Sequence, residues 1–255
     1  MMRRVATLLA QNGIPFDIDG NRIRCFPHIV NLCVKAGLRK LTALPPVPLS
    51  AFRDTVEDSD PLVNEMEEDE GDDAEVILFD PVSDSRKLAV WFKASHHRLK
   101  HLSDVIQKGH ADGTFSPDTL PDVVPLKDMD IRWSSSHLML KRLILLHPAM
   151  KIVLQDERYT DDERALLLTD DQLRRVQQIN SFLEIPHSVQ EIISAEKTPT
   201  LPVALPAYEN LLSMLKSFRK QNLDIADGVD AAIEKLEGYL AKTRKTRIYA
   251  MSMGA

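Results

Sequence analysis

The stretch Asp128-Met129-Asp130-Ile131-Arg132-Trp133-Ser134-Ser135-Ser136 constrains this chain more than any other. It sets one of only two tryptophans beside an arginine and behind two aspartates, at the mouth of a long helix. Ser134 or Ser135 can cap the free N–H groups, and Leu138, Met139, Leu143 and Leu146 then recur at helical spacing. Two roles are open to the indole. It can pack as an apolar plug while Arg132 pairs with Asp128 or Asp130. It can also be a flat platform on which a nucleobase stacks, with Arg132 near phosphate.

The helical period recurs along the chain, and the expected fold class is mainly α. Residues 3 to 12 read as a helix with Val5, Leu8 and Leu9 on one side, ended by Asn12-Gly13. Asn21 to Phe26 alternates polar and apolar and reads as a short strand. Pro27 then suits the first turn of a second helix carrying Ile29, Val30, Leu32, Cys33, Val34 and Leu38. Val82 to Lys108 reads as one helix, followed by a Pro-rich loop over residues 110 to 127. Pro148 is expected to break the Arg-Trp helix. Thr169-Asp170-Asp171-Gln172 is a capping box that opens a helix through Leu183 or beyond, with a break expected at Pro186. Pro206 is expected to start the helix of Tyr208, Leu211, Leu212, Leu215 and Phe218. A last helix runs from Ile225 to Leu240, and Lys242, Arg244, Lys245 and Arg247 follow as a basic patch.

The net charge of −6 hides a segregation. Asp54 to Glu75 holds 12 acidic residues and no Lys or Arg, and its sparse apolar content predicts a solvated, disordered loop. Setting it aside leaves 26 acidic against 32 basic residues, so the remainder carries +6. A mildly basic body can meet a polyanion, although this is far from a strongly basic nucleic-acid binder. No apolar stretch is long enough to span a bilayer, so no membrane partner is expected. Cys25 and Cys33 give no disulfide framework.

Other groupings carry less. Cys25, His28 and Cys33 lack the second ligand pair that a zinc site needs. His97 and His101 share a helix face at i, i+4, but Arg98, Leu99 and Lys100 lie between them, and a solvated face is expected. No glycine-rich phosphate loop or nucleophile elbow is present.

Taken together, three blocks resemble hAT-family transposases of fungal type. Ile23-Arg24-Cys25-Phe26-Pro27-His28-Ile29-Val30-Asn31-Leu32 is similar to that family's Cys-x-x-His-x-x-Asn-Leu signature. Asp128 to Ser135 is similar to its Asp-x-x-x-Arg-Trp-Ser-Ser motif. Ser194 to Leu201, with Ala204-Leu205-Pro206-Ala207-Tyr208 behind it, resembles a third block. The resemblance implies an RNase H-like core with a large helical insertion domain, and DNA transposition by two Asp and one Glu that hold Mg²⁺ or Mn²⁺. It also implies that Trp133 stacks on a base flipped out at the transposon end.

The segments that carry those three carboxylates find no match in the 255 residues, nor does a BED-type zinc finger. The expectation is therefore a truncated, transposable-element-derived piece without catalytic residues, metal or cofactor of its own. Residues 1–32 would be a remnant of the RNase H-like core, one helix and one strand, and residues 33–255 the helical insertion domain. Trp133 and Arg132 are the expected DNA-binding residues. Cys25, His28 and Asp128 are structural, with Asp128 the expected partner of Arg132. The expected partners are DNA and a full-length transposase or another protein, in the nucleus. The alternative is a protein-interaction module, or a relic with no DNA binding.

Overall fold

A computed structural model describes residues 2–17, 25–41, 80–128, 133–195 and 201–246. Among them the chain is mainly α, with no strand. The helices are α1 (Met2–Gln11), α2 (Phe26–Leu41), α3 (Pro81–Lys93), α4 (His96–Asp112), α5 (Trp133–Leu154), α6 (Asp161–Arg164), α7 (Asp170–Ala195), α8 (Leu201–Gln221) and α9 (Ala226–Arg244). A 3₁₀ turn at Leu223–Ile225 precedes α9. The acidic run from Asp54 to Glu75 lies outside the described residues.

The chain divides into two compact units. The first comprises residues 1–78, 188–217 and 227–255, and the second residues 79–187 and 218–226. The boundary expected at 32/33 falls inside α2.

In the first unit, α1 ends as its Asn-Gly pair predicts. Gly13 takes φ +68°, the left-handed region that a side chain resists. The Ile14 and Gly13 N–H groups then donate back to the Leu9 and Ala10 carbonyls, satisfying the helix end. Helix α2 buries Phe26, Ile29, Val30, Cys33, Val34 and Leu38. Val229, Leu236, Tyr239 and Leu240 of α9 and Tyr208, Leu211 and Leu215 of α8 are buried in the same unit. The strand expected over Asn21–Phe26 is corrected at its end. Residues 21–24 lie outside the described residues, Cys25 is in no strand, and Phe26 already opens α2. The reason is Pro27, whose fixed φ suits a first helical turn, closed as the Ile29 N–H donates to the Cys25 carbonyl.

The second unit is built around α5, which packs against α3 and α4. Met139, Leu140, Leu143, Leu146, Ala149, Met150 and Val153 of α5 are all at most 1% exposed, so more than one face is covered. The single helix expected over Val82–Lys108 is two helices. The chain turns at Ala94-Ser95, where Ser95 is extended (φ −138°, ψ 126°) ahead of α4. Asp80 caps α3 by accepting from the Val82 and Ser83 N–H groups, both at 3.0 Å. Gly113 ends α4, with φ +81°.

Three proline expectations also fail. Helix α5 runs through Pro148, α7 through Pro186, and α8 begins at Leu201, ahead of Pro206. A proline inside a helix removes one hydrogen bond and crowds the preceding turn. Here buried residues flank each proline, Met150 and Val153 after Pro148 and Leu183 and Val189 around Pro186, so packing holds the helix on both sides. The capping box at Thr169 forms as read. The Thr169 N–H donates to Gln172 Oε1 at 2.8 Å, and the Gln172 N–H donates to Thr169 Oγ1 at 3.3 Å. No described helix is long and apolar enough to cross a membrane.

Candidate functional site

The Asp128–Ser136 block leads into α5 within the second unit. Asp130 and Arg132 lie outside the described residues. Asp128 is the anchor of the remainder. Its side chain is fully buried and accepts two hydrogen bonds from one guanidinium, Arg86 Nε to Oδ1 and Nη2 to Oδ2, both at 2.7 Å. Ser136 Oγ donates to Oδ2 at 2.9 Å. Burial pushes the Asp128 carboxyl up, but the Arg86 and Ser136 bonds outweigh it, and the group lies below the usual carboxylate range. Arg86 on α3, 42 residues away, holds Asp128, and the pairing expected with Arg132 lies outside the described residues. Such a fork ties α3 to the loop entering α5 and fixes the angle at which that helix starts.

Trp133 is the first residue of α5 and is 6% exposed. Of the two roles open to it, this is the geometry of the plug. Its ring meets His187 edge-on, with centroids 6.3 Å apart. Ser134 and Ser135 lie inside α5, so neither is its N-cap. Beyond the first turn, Met139, Leu143 and Leu146 are buried as read, while Leu138 is exposed.

A second polar cluster joins α3, α4 and α6. The Arg98 guanidinium sits 4.0 Å over the Trp91 ring and donates to Glu163 Oε1 at 3.0 Å. Trp91 Nε1 donates to the same oxygen at 3.2 Å. Glu163 also completes the Thr160 capping box of α6. The other tryptophan is therefore clamped between a cation and a carboxylate. His101, expected on a solvated face, is part-buried. Its Nδ1 lies 3.0 Å from the Tyr159 hydroxyl and its Nε2 3.7 Å from Asp156. His96 and His97 are exposed as read.

The remaining motif residues lie in the first unit. Cys25 is exposed just before α2, and His28 is exposed on its first turn. Cys33 is buried, and desolvation pushes its thiol up to about 12. The first and third motif blocks meet there, as Phe26 and Tyr208 pack with ring centroids 4.6 Å apart. Of the basic patch, Arg244 pairs with Glu209 at 2.9 Å, and Arg247 lies outside the described residues. Among the described residues, no three His, Cys, Asp or Glu side chains converge as a metal site.

Sequence reasoning missed Arg86 and Ser136 as the holders of Asp128, and His187 as the neighbour of Trp133. Only Ser136 carried a local signal, since it stands in the same block. Arg86 and His187 reach the site through tertiary packing. Comparison with protein-family models, with curated proteins and with solved structures found no match to this chain.

Proposed function

We propose that this chain is a transposable-element-derived helical module of hAT-transposase type, without a catalytic centre among its residues, that contacts DNA through the segment around Arg132 and Trp133. It would work in the nucleus, on DNA alone or beside a full-length transposase. The supporting observation is the Asp128 anchor. A bidentate arginine and a serine hold Asp128, the first residue of the one block that combines arginine, tryptophan and a helix start. Base stacking requires the Trp133 indole to leave its packed position first.

The competing reading is a protein-interaction module. The burial of Trp133 favours it, because the stacking surface is turned inward.

Fluorescence anisotropy with a labelled DNA hairpin carrying an unpaired base separates the two. The proposal expects binding at low salt that weakens steeply as salt rises, and weaker binding by Trp133→Leu than by Trp133→Phe. Circular dichroism checks that both variants fold. Absence of binding at low salt by the folded wild-type chain refutes the DNA reading and leaves the protein-interaction one.

A further inference from the structure

Behind Trp133 lies a pair of imidazoles in a desolvated setting. His137, one helical turn after Trp133, is 0% exposed, and its ring nitrogens have as polar neighbours only the Asn180 side chain, outside good hydrogen-bonding geometry, and Glu184. Glu184 Oε2 lies 3.3 Å from Nε2 but outside hydrogen-bonding direction. The Asn180 side chain favours the charged ring, but less than burial disfavours it. The His187 ring packs on His137 with centroids 4.7 Å apart and planes tilted 43°, and the same ring meets the Trp133 edge.

Three aromatic rings thus pack in sequence, Trp133 edge-on to His187 and His187 tilted against His137. A neutral imidazole fits such a place as a flat, weakly polar filler. An imidazolium fits less well, because burial strips the charge of water and the Asn180 and Glu184 side chains replace that hydration only in part. Burial first, and then the neighbouring His187, hold His137 below the ordinary histidine range.

The charged and titratable groups facing His137 are Glu184 and His187 on α7 and Lys141 on α5. Glu184 is the one anion among them. It is 48% exposed and shared with Lys141 at 3.4 Å, so it offsets an imidazolium only weakly. On the α3 side, the Arg86–Asp128 pair bonds the adjacent Ser136 and is already neutralised within itself.

We propose that the His137–His187 pair is a pH-sensitive latch, which keeps the Trp133 indole packed while His137 is neutral and releases it to solvent when His137 is protonated. Release is local because Trp133 is the terminal residue of α5, and a helix end opens with less free energy than its middle. The sign follows from linkage. The packing free energy of neutral His137 is fully present above the ordinary histidine value of about 6.5 and is lost as pH falls through the lower value of the folded state. The latch stands whether or not the chain binds DNA.

The test uses the full chain with Trp91→Phe, which leaves Trp133 as the sole tryptophan. Acrylamide quenching is followed from about pH 7.5 to about pH 5, with helical content recorded alongside. The expected result is a several-fold rise in quenching on acidification with the helical signal retained, and no rise once His137→Phe is added. Should His137→Phe fail to fold, His187→Phe carries the same comparison, since that ring is only part-buried. Flat quenching across the range overturns the latch. So does a rise that survives the histidine substitution, or one that coincides with loss of the helical signal.

Discussion

Replacing Arg86 with leucine should strand a buried carboxylate. In the native protein the Asp128 side chain has no exposed surface and relies on two charge-assisted bonds from Arg86 and one from Ser136. Removing one partner of a buried ion pair costs about 3–5 kcal/mol, most of it the uncompensated charge left behind. Arg86 is 27% exposed, so some water can replace it, and the lower end, about 3 kcal/mol, is expected. That is a change of roughly a hundred-fold in the unfolding equilibrium.

The pH dependence identifies the cause. In the wild type the carboxyl is held low, so its stabilisation is present above about pH 4 and lost only as pH falls through its still lower folded value. In Arg86→Leu burial dominates, the carboxyl rises above its unfolded value, and protonation relieves the strain. The gap between variant and wild type should therefore be widest near neutral pH and narrow on approach to about pH 4. Urea unfolding followed by circular dichroism measures both. Arg86→Leu/Asp128→Leu, which removes both charges, should recover much of the loss. A gap below about 1 kcal/mol at neutral pH would class the pair with ordinary surface bridges. A gap independent of pH, or a double variant no better than the single one, would refute the stranded-charge reasoning.

Other perturbations probe separate parts. Leu143→Ala, at a site 1% exposed in the middle of α5, should cost about 2–5 kcal/mol by urea unfolding. Thr169→Ala should cost about 1 kcal/mol through loss of the α7 capping box. Gly109→Ala drives a methyl group into the Phe115 ring and should destabilise by about 1 kcal/mol despite better helix propensity. Native-state thiol labelling should modify Cys25 and spare Cys33, which is buried with its thiol pushed up to about 12, while urea exposes both.

The helical period made most elements legible in sequence. α2, the body of α5, the capping box of α7 and the inward face of α9 all stand where apolar spacing places them, because burial on one side writes a repeat into the chain. The misreadings share a physical origin. Local backbone preference marks Pro148, Pro186 and Pro206 as punctuation, and the helices nonetheless run through all three positions. The break at Ala94-Ser95 left no glycine or proline to mark it, and the apolar pattern continues across it. In the candidate site the chemistry of the block was visible but its partners were not. Asp128 takes its fork from an arginine 42 residues back, a partner that no local spacing announces. The packing of Trp133 depends on His187, contributed by α7.

The most direct test is hydrogen exchange of the whole chain with and without a DNA hairpin that carries an unpaired base. The proposed DNA contact predicts altered exchange concentrated in residues 128–140, around the Asp128 anchor and the first turns of α5, and diminishing as salt is raised. Unchanged exchange throughout, or a change confined to other segments, would contradict it.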